Sequence, residues 1–111
     1  MIEKNYGYYG DDILTTVNHI KHTMSIGENH RFQAYPYEDV CYITFVSELY
    51  YMRNNSLASL TMTLFVEPDA ISAYVVASGA GSGLFNFSAG AEKDIIKTCD
   101  SILLPLGFIE L

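Results

Sequence analysis

Charge is scarce in this chain. Asp, Glu, Lys and Arg make up 17% of its 111 residues, against about 25% in an ordinary soluble domain. Positive charge is scarcer still: 6 Lys and Arg stand against 13 Asp and Glu, a net charge of −7. The six cations, Lys4, Lys21, Arg31, Arg53, Lys93 and Lys97, form no run. A phosphate backbone is bound by clustered Lys and Arg and repelled by an acidic surface, so no nucleic-acid partner is expected. Long apolar runs are also missing. The longest, Val40 to Val46, is far short of the roughly 20 residues that a membrane helix needs, so no membrane partner is expected. The opening Met1-Ile2-Glu3-Lys4-Asn5-Tyr6 has no basic stretch leading into an apolar one, which leaves no signal peptide in view. Cysteine is limited to Cys41 and Cys99, each amid apolar neighbours. They read as two small core residues in a reducing compartment, and the expected localisation is cytoplasmic.

What is present is apolar and aromatic. Hydrophobic residues account for 50% of the chain, with 9 Tyr and 6 Phe among them. That supports one core without a disulfide or structural metal, and residues 1–111 read as a single domain. Residues 1–9 favour a short first strand, weakened by Gly7. Gly10-Asp11-Asp12 then opens a helix, an Asp side chain being suited to accept from the unpaired first N–H groups. Ile13, Leu14, Val17, Ile20 and Met24 supply its apolar stripe, and Gly27 stands where a C-cap glycine would. Residues 27–39 read as loop or irregular strand, because Pro36 argues against a central strand.

The middle of the chain is the most legible part. Val40–Met52, Leu57–Val66 and Ala70–Ser78 are three strand-like runs, joined at Arg53–Ser56 and Glu67–Ala70 by links too short for a crossover helix. Ala58, Leu60, Met62 and Leu64 alternate with Ser59, Thr61 and Thr63, as in a sheet with one face on a core. After Gly79–Gly83, Leu84–Phe87 fits one more short strand. Ser88 caps a second helix with its stripe at Ile95, Ile96, Cys99, Ile102 and Leu103, ended by Pro105 and Gly107. The expected fold is α+β: an antiparallel meander sheet of three to five strands with two helices packed on one face, in the order (β)-α-β-β-β-(β)-α.

Asp11-Asp12-Ile13-Leu14 at the first helix, Asn55 to Leu64 in the hairpin, and Ser78-Gly79 form a recurrent pattern together with an aromatic strand around Phe85 and Phe87 and an acidic helix start. Over most of its length the chain resembles a small uncharacterised bacterial family, a domain of unknown function. The resemblance implies the β-α-β-β-β-α order and brings no activity, cofactor or site residues.

The chemical motifs are thin. Gly79-Ala80-Gly81-Ser82-Gly83 could cradle a phosphate through backbone N–H groups. The nucleotide fingerprints need a helix directly after such a loop, and the P-loop needs a lysine as well. Here a strand-like segment follows, so a plain turn or bulge is the better reading. His19 and His22 lie three apart on the first helix, with Glu28 or His30 as a third metal ligand, yet no HExxH pattern exists; a solvated polar face accounts for them. Cys99 sits on a buried stripe and reads as inert. Glu48 interrupts an apolar strand, which makes it the carboxylate to inspect. No cofactor is expected.

The outward set of the sheet is the stronger signal. Tyr42, Tyr50, Phe65, Tyr74 and Val76 would share it with threonines and few charges, as at a partly buried interface. High strand propensity of Tyr and Thr, or a segment folded over that face, would give the same pattern. The preferred expectation is a non-catalytic interaction domain that self-associates as a dimer, or binds a partner protein, through this face. The alternative is a small-molecule-binding protein or enzyme with its site at Ser78, Gly79, Gly81, Ser82, Gly83 and Asn86.

Overall fold

Side-chain alternation is the strongest local instruction in the chain. It governs the computed structural model, which describes residues 1–24, 29–51, 56–80 and 88–111. The elements are β1 (Ile2–Tyr9), α1 (Ile13–Thr23), β2 (Asn29–Tyr37), β3 (Val40–Tyr51), β4 (Ser56–Val66), β5 (Ala70–Ala80) and α2 (Ser88–Leu103), then a 3-10 turn (Leu104–Leu106) and β6 (Ile109–Glu110). The strands form one antiparallel sheet in the order β2-β3-β4-β5-β1-β6.

Short links make the meander from β2 to β5. Glu38 and Asp39 alone join β2 to β3, with Glu38 at φ +55°. At the other end the Glu67 N–H donates to the Ala70 carbonyl at 2.8 Å. β1 lies beyond β5, four strand positions from β2, about 19 Å away at the usual spacing. The 11 residues of α1 are about 16 Å long, enough to carry the chain back across the sheet.

The sheet has six strands rather than three to five. Residues 29–37, within the 27–39 stretch expected as loop or irregular strand, form a full strand paired to β3 from Asn29↔Glu48 to Tyr37↔Val40. Pro36 is tolerated because β2 is an edge strand, where one row of N–H groups needs no partner. A sixth strand follows Gly107. That glycine adopts φ +108° and its N–H donates to the Leu104 carbonyl, a left-handed reversal that glycine permits. It turns the chain so that Tyr6 and Gly7 pair with Glu110 and Ile109.

The sheet's inward set is Ile43, Phe45, Ala58, Leu60, Met62, Leu64, Ile71, Ala73, Val75 and Ala77, every one buried. They join Ile13 and Ile20 of α1, Met24 at its C-terminal cap, and Ile95, Cys99 and Leu103 of α2 in one core cluster. Leu14, expected on the α1 stripe, is 78% exposed, while Thr16 is buried. At about 100° per residue, Leu14 is a quarter-turn off the line through Ile13, Ile20 and Met24, and Thr16 is closer to it. Asp12 precedes α1 without a side-chain cap; its backbone carbonyl accepts from Thr16 N–H at 3.0 Å instead. Gly27, the Arg53–Asn55 part of the β3–β4 link and Leu84–Phe87 lie outside the described residues.

Candidate interaction face

Strand register lays the outward side chains out in rows, because directly paired residues share a face. One row runs Tyr35, Tyr42, Phe65, Ser72 and Gly7. The next runs Gln33, Thr44, Thr63, Tyr74 and Asn5. The third runs Arg31, Val46, Thr61, Val76 and Glu3. In each row β4 is the middle strand. The Tyr42 and Phe65 rings stack with centroids 4.8 Å apart. Tyr35, Tyr42 and Tyr74 are exposed, whereas Phe65 and Val76 are half-buried. The Tyr74 hydroxyl donates to the Glu3 carboxylate. That bond, more than burial or the charge of Glu3, raises the pKa of Tyr74. Tyr50, expected in this set, pairs with Leu57 in the β3–β4 register, and its side chain lies outside the described residues.

Nothing among the described residues folds over the centre of this face. The 29–37 segment extends the sheet instead of covering it. Among the described residues a side chain lies across at the β1 corner, where a Cβ at Gly7 would stand 3.4 Å from the Leu111 methyls. Charge on the described part of the face is limited to Glu3, Arg31 and Glu48. Arg31, Gln33, Tyr35 and Tyr37 were missed as outward residues because Pro36 hid the strand. The signal was there in their period-two alternation with Phe32 and Ala34.

The other sequence candidates are dispersed. Ser78 and Gly79 lie inside β5, opposite Ser59 and Ala58. The Ser78 hydroxyl is 2.8 Å from that of Ser59. Gly81, Ser82, Gly83 and Asn86 lie outside the described residues, as does Glu28. His19, His22, His30 and Glu48 are exposed. No group of three His, Cys, Asp or Glu among the described residues could hold a metal. Both cysteines are free; Cys99 is buried and Cys41 half-buried. Burial pushes the Cys99 thiol up to about 12, which keeps it protonated and unreactive.

One polar cluster has no sequence signal, since Lys4 and Tyr6 are more than 90 positions from the acids they meet. The Lys4 ammonium donates to both oxygens of Asp100, at 2.8 and 3.0 Å, and reaches Glu110 Oε1 at 2.6 Å. Asp100 also accepts from the buried Tyr6 hydroxyl at 2.6 Å. Burial pushes the Asp100 carboxyl up, but the bonds from Lys4 and Tyr6 and the charge of Lys4 outweigh it and leave the pKa lowered. The Tyr6 hydroxyl is raised, first by burial and then by its bond to Asp100. The cluster ties β1 to α2 and β6 and offers no open coordination to a ligand.

These features define an α+β domain with one helix-covered sheet face and one open, aromatic, charge-poor face. The chain belongs to a family of unknown function (DUF6054), whose model matches residues 5–106. No curated protein and no solved structure matches it. No described helix is long and apolar enough to cross a membrane.

Proposed function

We propose that this chain is a non-catalytic interaction domain of the cytoplasm that self-associates as a dimer through its outer sheet face. The observation that carries the reading is the self-complementarity of the three rows. A two-fold axis in the interface plane, parallel to β4, leaves β4 facing its own copy and exchanges the strands on either side. The row Arg31, Val46, Thr61, Val76, Glu3 then sets Arg31 against Glu3 of the partner subunit, at both ends. In the aromatic row Tyr42 meets a serine position, large against small, and Tyr35 meets the corner where Leu111 covers Gly7. In the middle row Gln33 meets an asparagine position, amide against amide. Sheet twist of about −30° between packed faces preserves this pairing best near the centre.

Two further arguments support a second copy as the occupant. Two chains of net charge −7 repel over most of their surfaces, and this face carries one cation against two carboxylates. At about 3.3 by 4.8 Å per strand residue the six strands tile a plane of roughly 800 Å², the share that each partner of a standard interface buries. The two free thiols support the cytoplasmic assignment.

Sedimentation or native mass spectrometry at about 10–100 μM tests the reading. The wild type is expected as a dimer. Phe65→Glu places two carboxylates at the axis, and Tyr74→Glu adds charge beside it; both should give monomers. Arg31→Glu should weaken the dimer several-fold, and Glu3→Arg added to it should restore affinity. A monomeric wild type, or a dimer that ignores Phe65→Glu, overturns the reading.

A further inference from the structure

Positive charge is scarce, yet much of what the chain has gathers at one place. Lys21 and His22 near the end of α1, with His30 and Arg31 at the start of β2, line a cleft of about 220 Å³. Its floor is apolar: Phe32 and Phe45, rings 5.2 Å apart and tilted by 58°, with buried Met24 between sheet and helix. The Lys21 ammonium stands 4.5 Å from the Phe32 ring centroid. No described acidic residue pairs with any of these four basic residues; the described ion pairs all lie at Met1, Lys4 and their partners. Arg31 Nη1 donates only to the His30 carbonyl, at 2.9 Å.

The structure assigns this cleft as a binding site for a small organic anion, a phosphate or carboxylate group carried on an aromatic or aliphatic body. Two cations, Lys21 and Arg31, and two imidazoles share one rim of a chain whose net charge is −7, a local patch of donors in an acidic protein. An anionic group there gains charge-assisted hydrogen bonds from Lys21, His22 and His30, which pair with no acid among the described residues. The Phe32–Phe45 floor removes the ligand's apolar body from water. A volume of 220 Å³ is below the roughly 300 Å³ at which sites for drug-sized molecules begin. The ligand is therefore about one ring and one anionic group. Arg31 and Val46 also belong to an outer row given to the dimer, so the ligand is held first by Lys21, His22 and His30 beside Phe32 and Phe45, none of which lies in those rows.

Phenyl phosphate is the probe, titrated into the full chain and followed by amide chemical shifts. Inorganic phosphate (charge without the ring) and benzyltrimethylammonium (the ring with opposite charge) are the controls. Saturable binding of phenyl phosphate is expected, with shifts at Lys21, His30, Phe32 and Phe45, and at least about tenfold weaker binding of either control. Lys21→Glu and Lys21→Met should each weaken phenyl phosphate about tenfold, whereas Lys93→Glu, an equal charge change on the exposed side of α2, should leave it unchanged. The monomeric Phe65→Glu variant should bind as the wild type does, which separates failure of this site from failure of the dimer. Equal binding of the cation, an equal loss in Lys93→Glu, or no saturation by phenyl phosphate at about 10 mM would overturn the assignment.

Discussion

The two faces of the sheet are made by the same strands, and consecutive residues of β4 belong to opposite ones. Leu60, Met62 and Leu64 are at most 1% exposed and packed under both helices. Thr61, Thr63 and Phe65, their immediate neighbours, are half-buried on the other side with nothing described above them. Strand propensity explains why threonine and aromatic residues occur there. It does not explain why Lys and Glu, the usual cover of a solvated sheet face, are so few. The difference teaches that one face has already spent its apolar surface on stability, while the other, in the proposed reading, holds it for association. Substitutions should separate accordingly, with inner-face changes read by unfolding and outer-face changes by oligomeric state.

The largest effect is expected on the inner face. Leu64 is fully buried in the core cluster, so Leu64→Ala should cost about 2–5 kcal/mol in chemical denaturation, from lost burial and the cavity left behind. Thr63→Ala, one residue along, should change unfolding by no more than about 0.5 kcal/mol when both are compared as monomers. Equal costs at the two positions would break the comparison, since they would mean that the outer face is also packed against something within the chain.

A middle-sized effect is expected at the rim, where β1 and α2 are clipped together. Asp100→Ala removes the acceptor of Lys4 and Tyr6 and should cost about 1–3 kcal/mol at pH 7. The lowered pKa of Asp100 means that its contribution is present above the unfolded value of about 3.9 and is lost as pH falls through the folded value. The raised values act in the other direction. The contribution of Cys99 is present below 9.0 and lost as pH rises toward about 12, and that of Lys4 is lost on rising above 10.5. Stability against pH should therefore hold a plateau from about pH 4 to 9. Asp100→Ala should flatten its acid limb, and the gap between variant and wild type should narrow as the pH falls below the unfolded value of about 3.9. An unchanged acid limb would show that other carboxylates set it.

Legibility followed the range of the interactions. The alternation in β3, β4 and β5 and the α2 stripe were readable because period and turn chemistry are local. Even the inward and outward sets of Ile43, Phe45, Tyr42 and Val46 came out on the sides that the alternation implies. β2 was read no further than as loop or irregular strand, because a single proline was weighed against a central strand without knowing that this strand is an edge. β6 is two residues long and exists only because Gly107 delivers it to β1. The row complementarity needed the register of five strands together, and the Lys4–Asp100 pair and the Lys21–His30 cleft needed the fold itself. Each joins residues whose separation in sequence carries no periodic trace.

The smallest effect gives the sharpest test of the outer face as a surface prepared for contact. Ser59 and Ser78 face outward on adjacent strands with hydroxyls 2.8 Å apart, a cross-strand pair that holds two polar groups to each other. Such a pair contributes about 0.2–1 kcal/mol, and a double-mutant cycle of Ser59→Ala and Ser78→Ala should return a coupling in that range. The same substitutions remove hydroxyls from a face that meets its own copy, so under the dimer reading they should leave association unchanged or tighten it. A face shaped only for water would lose solubility and gain non-specific association from the same change. Discrete dimers in one case and polydisperse aggregates in the other, read by sedimentation, separate a surface built for a partner from a merely apolar one.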